Sequence, residues 1–285
     1  MIRRLFKRKT NFLLFAEVYI EDNKHLYSLE TIRTYTTQIS KMQKFKDIVY
    51  IEDIDLNFLY SYQKYMIVKL RNKPNTYYKS LSWIKTMLNN AVRNGVIKSH
   101  SAFANFPIRK LQGNRANLTV QELERLTRYY EQTERKGARN VLQYFLFSCY
   151  TGLRFTDIAN LKNSNIVNGI IQIQQHKTNS LVKVPLSKKA IQFAELEDTK
   201  PYVFKIISNQ KTNKHLKRIA SECRINKDLT FHVARHTFAT LGLTLGIPIE
   251  IVSKLLGHTD IKTTQIYAKV RDDLLIKEMR KFDNL

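Results

Sequence analysis

At 285 residues and 43% hydrophobic content the chain is long enough to bury a sizeable core, with roughly two domains expected from its length, and general disorder is excluded. Its 48 Lys+Arg against 24 Asp+Glu give a formal charge of +24, a self-repulsion most readily balanced by a polyanion, nucleic acid before all others. The longest apolar stretch, Phe12 to Ile20, is short and interrupted by Glu17, which excludes a membrane span, and the distant Cys149 and Cys223 predict reduced thiols of a cytoplasmic protein.

The charge is not a tail. Residues 1–110 hold 20 Lys/Arg against 8 Asp/Glu, and the remainder is just as basic, so a nucleic acid would be touched along much of the chain. The start, MIRRLFKRKT, has no signal-peptide core and reads as a basic arm over residues 1–10. Apolar residues then recur at three- and four-residue spacing over 11–22, 29–45, 55–71 and 75–94, which predicts a small all-helical domain over 11–100. Asn75 is the expected N-cap of the fourth helix and Gly95 its left-handed terminator. In that helix Lys79, Lys85 and Arg93 alternate with Tyr77, Tyr78 and Trp83, a pattern suited to tracking phosphates, although the aromatics could equally be core and the basic groups solvated. Periodicity fades over 101–118, where Pro107 and Gly113 mark an extended linker and Arg109, Lys110 and Arg115 are further DNA-binding candidates.

The second domain, 119–285, opens on Thr119 and Glu122, a T-x-x-E capping box. A second helix, Ala138 to Tyr150, is broken by Gly152, and Arg154 stands at the next helix start. Gly169 to Ser187 alternates Ile- and Val-rich runs around HKTNS, predicting a β-hairpin with Lys177 at its turn. Helices follow at about 187–195, 209–222, 232–245 and 249–256; Gly246-Ile247-Pro248 turn the chain, Gly257 ends the last of these, and Thr259 or Asp260 can cap the segment carrying Tyr267. Residues 271–285 repeat Leu274, Leu275, Ile276 and Met279 on one face of a last amphipathic helix. The fold class is therefore mainly α, in two domains, with one small antiparallel sheet. Within it Arg154, Lys177, His232, Arg235, His258 and Tyr267 all fall at turns or helix termini, where an anion is most easily held.

TGLRFTDI, HKT with VPL, HVARHTFAT, LLGH and TTQIYAKV, in that order and at these separations, closely resemble the tyrosine recombinase family of phage-integrase type. The wording of TTQIYAKV and HKTNS is most like integrases of Bacteroidetes mobile elements. The resemblance covers the second domain, while the first looks like the family's SAM-like core-binding domain. It implies site-specific cutting and rejoining of duplex DNA through a 3′-phosphotyrosine and a Holliday junction, with no ATP, metal or other cofactor. Arg154 and Arg235 would clamp the non-bridging oxygens, the guanidinium being a planar bidentate donor. Lys177 would protonate the leaving 5′ oxygen, with Lys183 the competitor. His232 would serve in acid/base work, His258 would donate to a phosphate oxygen, Asp157 would support the site, and Tyr267 would be the nucleophile. The i, i+4 pair His232 and His236 lacks the glutamate of H-E-x-x-H, so His236 is expected to be structural rather than a zinc ligand. The implied partners are double-stranded DNA, three further copies in a homotetramer coupled through the 271–285 helix, and DNA-bending accessory proteins. Two alternatives use the same fold: type IB topoisomerase-like relaxation and a non-catalytic DNA-binding accessory protein.

Overall fold

The computed structural model of the chain describes residues 9–108, 111, 116–176, 178–194, 196, 200–268, 279 and 283. Lys177, Arg109, Lys110, Arg115, the arm up to Arg8 and nearly all of the 271–285 segment therefore lie outside the described residues. Backbone contacts divide the chain into two compact units, residues 1–113 and 114–285.

The first unit is built from α1 (Phe12–Asp22), α2 (Leu29–Phe45), α3 (Leu56–Val68) and α4 (Pro74–Arg93). Three of the four helix starts are set by side chains that accept from first-turn N–H groups: Asn11 from Leu13 and Leu14, Ser28 from Thr31, Asp55 from Phe58. The fourth differs from the sequence reading. Lys73 occupies the cap position with Pro74 as the first helical residue, whose missing N–H would have had no partner there anyway. Asn75 is inside the helix, where its side chain both donates to the Leu111 carbonyl and accepts from the Leu111 N–H, each at 3.0 Å. Gly95 does take the left-handed conformation expected of it, φ +69°.

Apolar residues of all four helices meet in one core around Phe12, Met42, Leu59, Tyr62, Met66, Leu81, Ile84 and Met87, all fully buried. That core also takes in Ala102, Phe103 and Phe106. The expected 101–118 linker therefore starts too early: three apolar residues too close together to show a helical period still bury themselves in turns. Trp83 is in this core and Tyr77 and Tyr78 pack against it, whereas Lys79, Lys85 and Arg93 are exposed. The aromatics of α4 are thus packing residues and its basic groups form the solvent face.

In the second unit α5 (Val120–Gln132) begins with the predicted capping box, Thr119 Oγ1 accepting from Glu122 N at 3.2 Å and Glu122 Oε2 accepting from Thr119 N at 2.7 Å. α6 (Lys136–Thr151) is apolar on nearly every side and buries ten residues, as a central helix must. It packs against α5, α8 (Lys188–Ile191), α9 (Asn209–Glu222) and α10 (Phe231–Thr244). The short α7 (Phe155–Ala159) leads to the sheet, whose antiparallel strands lie in the order β1 (Ile166–Val167), β2 (Ile170–Gln174), β3 (Leu181–Pro185). β1, absent from the sequence reading, is joined to β2 by Asn168-Gly169, with φ +50° and +72° as a two-residue hairpin turn of primed type demands. Ile171 pairs with Val184 and Ile173 with Val182 on the core side, while Lys183 pairs with Gln172 on the other face. α11 (Ile249–Leu256) and α12 (Lys262–Gln265) close the described part of the unit.

Candidate active site

Two left-handed glycines end the helices on which the site is hung. Gly152 (φ +71°) ends α6, and a Cβ there would lie 2.6 Å from Phe238 Cδ1 and 2.9 Å from Leu256 Cδ2, so both its conformation and its space require glycine. Gly257 (φ +65°) ends α11, where a Cβ would meet Gln175 Oε1 at 2.5 Å and Val182 Cγ2 at 2.6 Å. The His258 N–H then donates to the Ser253 carbonyl at 3.0 Å, a Schellman closure that turns His258 back toward the helix end.

Arg154 is the N-cap of α7 and Arg235 lies on the buried side of α10, 2% exposed. Arg235 Nη1 donates to the Gly152 carbonyl at 2.8 Å and Nη2 to the Leu256 carbonyl at 2.6 Å, so the two helix C-termini fix its guanidinium. Arg154 Nη1 donates to Gln175 Oε1, and Gln175 Nε2 donates to the same Leu256 carbonyl at 3.1 Å. One carbonyl and one buried amide thus join both arginines to the base of the β2–β3 hairpin. Asp157 supports this joint by accepting from the Arg154 N–H and the His176 N–H, each at 3.2 Å, which ties α7 to the hairpin turn.

The electrostatics are those of an anion site. Burial, then the neighbouring Arg154, pushes the Arg235 guanidinium down to about 9, opposed by Tyr267 and Asp157. Burial likewise lowers Arg154, opposed by Asp157 and Tyr267. Both remain charged at neutral pH, and among the described residues neither makes a salt bridge within 4 Å to a carboxylate. A phosphate would relieve both the desolvation and the mutual repulsion.

Tyr267 follows α12 and is 9% exposed, its ring packed with Ala239, Val252 and Leu256 in a small apolar cluster apart from the main core. Its hydroxyl oxygen lies 2.7 Å from His236 Nδ1. His232, one turn earlier on α10, is exposed and meets the His236 ring edge-on with centroids 4.3 Å apart. His258 Nδ1 lies 2.8 Å from the buried Thr264 Oγ1, which draws its ring toward α12. Asp260 Oδ1 accepts from the Lys262 N–H at 2.9 Å and organises the turn before that helix. Of the predicted site, Arg154, Asp157, His232, Arg235, His258 and Tyr267 are thus gathered around the ends of α6, α10 and α11; Lys177 lies outside the described residues, between His176 and Thr178.

Two members escaped the sequence reading. His236 was taken as structural, yet it touches the tyrosine hydroxyl; its signal was the i, i+4 spacing in HVARH. Gln175 carried no signal beyond its place beside the hairpin turn. Among the described residues no group of three His, Cys, Asp or Glu could hold a metal, and no helix is long and apolar enough to cross a membrane. Cys149 and Cys223 are buried free thiols, and burial holds Cys149 well above its ordinary pKa and hence unreactive.

The model of the phage integrase family matches residues 116–273, and that of the phage integrase SAM-like domain matches residues 11–106. The chain is 32% identical over 145 residues to a tyrosine recombinase of Thermosipho africanus, covering 46% of this chain and 50% of that protein. It is 27% identical over 226 residues to tyrosine recombinase XerD of Lacticaseibacillus casei, covering 73% and 76%. The matches thus span half to three quarters of the length of these curated relatives. The solved structure of the Tn1549 transposon integrase with a circular intermediate DNA has a similar fold, with TM-score 0.79 and 14% identity over 96% of this chain and 100% of that one. With both family models matched in order and arginine, histidine and tyrosine side chains gathered at one site, the chain belongs to the phage integrase family, the tyrosine recombinases.

Proposed function

We propose that this chain is a site-specific DNA recombinase in which Tyr267 attacks a scissile phosphate and becomes joined to its 3′ end. The observation that carries the reading is the buried guanidinium of Arg235 and the half-buried one of Arg154 beside Tyr267, held by carbonyls and an amide and, among the described residues, in no salt bridge with a carboxylate. In the attack the phenolic O–H and the P–O5′ bonds break, the phenolic proton is taken up in the acid/base role assigned to His232, and a Tyr267–O–P bond forms. The negative charge gathered on the non-bridging oxygens falls to Arg154, Arg235 and His258. Lys177, two residues after Gln175 in the hairpin, supplies the proton to O5′, and Asp157 keeps hairpin and α7 together. The bond energy stays in the phosphotyrosine, so rejoining needs no nucleotide cofactor.

Exposed Lys79, Lys85 and Arg93, with Arg109, Lys110 and Arg115 between the two matched domains, meet the backbone of double-stranded DNA. Four copies exchange strands, coupled through residues 271–285, with DNA-bending proteins assisting on the sites. The work belongs to an integrating mobile element or phage, of the kind found in Bacteroidetes, and takes place in the cytoplasm.

The test is covalent capture. Nicked fragments of the DNA that surrounds the coding sequence are incubated with the protein, adducts are trapped under denaturing conditions, and the attached 3′ ends are sequenced. One recurrent site, joined through Tyr267 and lost in Tyr267→Phe, is expected. Adducts that survive Tyr267→Phe would overturn the assignment, and supercoil relaxation without exchange between two duplexes would make the protein a topoisomerase.

A further inference from the structure

We infer that Gln175 is a positioning residue for the reaction: its neutral amide holds the Arg154 guanidinium in the orientation that receives the phosphate, without cancelling the charge. This rests on the role proposed above for Arg154 and concerns how that charge is kept in place. Gln175 is 1% exposed and sits where three elements meet, the start of α7 that carries Arg154, the β2–β3 hairpin and the C-terminus of α11.

The amide can point only one way. A carbonyl oxygen accepts and never donates, so the Leu256 carbonyl must face Nε2, which donates to it at 3.1 Å. Oε1 is thereby turned to the opposite side, where Arg154 Nη1 and, at 3.0 Å, the Thr178 hydroxyl both donate to it. Flipped end for end, the amide would set oxygen against a carbonyl and NH2 against a guanidinium, and all three bonds would be lost. Glycine at the end of α11 leaves the room, since a Cβ on Gly257 would lie 2.5 Å from Oε1 and 2.9 Å from Cδ. The same Leu256 carbonyl accepts from Arg235 Nη2 at 2.6 Å, so the amide also sets Arg154 relative to Arg235.

The chemistry of the site requires an amide here. A carboxylate would hold Arg154 more tightly, because charge-assisted bonds are stronger, yet it would cancel the cation before the phosphate arrived and set its second oxygen against the Leu256 carbonyl. An apolar side chain would keep the charge and lose its direction. The amide engages a single N–H of a fork that offers several, which leaves others to meet the non-bridging oxygens. The neighbouring Asp157 carboxylate accepts from the Arg154 backbone N–H, at 3.2 Å.

Two experiments test this. In the free protein, nitrogen-15 NMR of the arginine side chains reads rotation about the Nε–Cζ bond, with the Arg154 signals identified by their loss in Arg154→Lys. Slow rotation is expected in the wild type and in Gln175→Glu, and fast rotation in Gln175→Leu. An Arg154 head group as restrained in Gln175→Leu as in the wild type overturns the proposal whether or not a DNA target is known. On the duplex identified by covalent capture, wild-type adduct formation first establishes the reaction, and variants are compared at a temperature where each is folded. Gln175→Leu should bind the duplex as the wild type does and form adduct roughly 10-fold to 10²-fold more slowly. Gln175→Glu, with the head group held but its charge cancelled, should be slowed at least as much. In an Arg154→Ala background Gln175→Leu should cost nothing further, since the amide acts through that side chain. Additive losses in this cycle would make the amide merely structural, and a wild-type rate in Gln175→Glu would show that neutrality is not needed; either result overturns the proposal. Should Gln175→Leu fail to fold, Gln175→Met, unbranched and of similar length, carries the same comparisons.

Discussion

The two units differ in the polar residues that their cores enclose. In the first, the buried polar residues are few and neutral, Gln38, Ser80 and Asn90, and the Tyr62 hydroxyl, the Trp83 indole N–H and the Gln38 carbonyl make no hydrogen bond among the described residues. In the second, Asp157, Gln175, Arg235, His236 and Thr264 are all buried, and every one of them has named partners. A core required only to hold helices together tolerates an unmet hydroxyl at a cost of about 1–3 kcal/mol. A core that keeps the Arg235 guanidinium out of water, with the half-buried Arg154 beside it, must orient every neighbour, because the penalty for a buried charge is larger. The contrast falls where the proposed chemistry is placed, since fixed dipoles and cations that need no rearrangement when charge develops are what phosphate cleavage requires.

The contrast can be broken most severely at Arg235. Arg235→Ala removes a charge that the proposed reaction needs in its transition state, leaves the Gly152 carbonyl without its side-chain donor and leaves the Leu256 carbonyl with Gln175 alone. We expect loss of adduct formation by at least roughly 10²-fold and destabilisation of about 1–3 kcal/mol from the unmet carbonyl, read by denaturant unfolding. A normal melting curve would show that the network does not hold the unit together. Next is Gln175→Leu, close in size but unable to bridge Arg154 and the Leu256 carbonyl. About 1–3 kcal/mol should be lost, together with a fall in adduct rate at unchanged DNA affinity. An unchanged rate would make Gln175 a packing residue only.

The comparison is sharpened by Tyr62→Phe in the first unit, where a buried hydroxyl without a partner is removed and the ring retained. Stability should stay the same or rise by up to about 1 kcal/mol; a loss above that would reveal a hidden partner. The smallest effect is expected at a surface cluster. Tyr129 first, then Arg135 and Arg218, hold the Glu222 carboxyl at about 2 against an ordinary value of 4.5. The folded carboxyl thus binds its proton later than the unfolded one, so the stabilisation is present above pH 4.5 and is lost as pH falls toward 2. Because Glu222 is solvent-exposed, the contribution is discounted to about 1 kcal/mol or less. Glu222→Gln should flatten the acid limb of stability against pH by that amount, and an unchanged limb would show that the pairs are fully screened.

What the sequence determined by itself was local and chemical. The cap at Thr119 and the left-handed ends at Gly95, Gly152 and Gly257 were legible because each depends on backbone groups only a few residues away, whereas the cap expected from Thr259 or Asp260 is not made: Ile261 holds that position without a side-chain bond and Asp260 serves the turn before it. Arg154, Arg235, His258 and Tyr267 stood out because they lie in motifs that resemble the tyrosine recombinases, and their proposed roles are ones that few other residue types can fill. Tertiary structure decided the rest. It sent Asn75 to Leu111 instead of to a helix end, and it buried Ala102, Phe103 and Phe106 where no period marked them. It also converted two residues read as background into parts of the site. Gln175 meets a carbonyl 81 positions away and His236 a hydroxyl 31 positions away. No local rule reaches that far, because such partners are chosen only when the ends of α6, α10 and α11 pack together and every buried donor must find the acceptor that the packing leaves beside it.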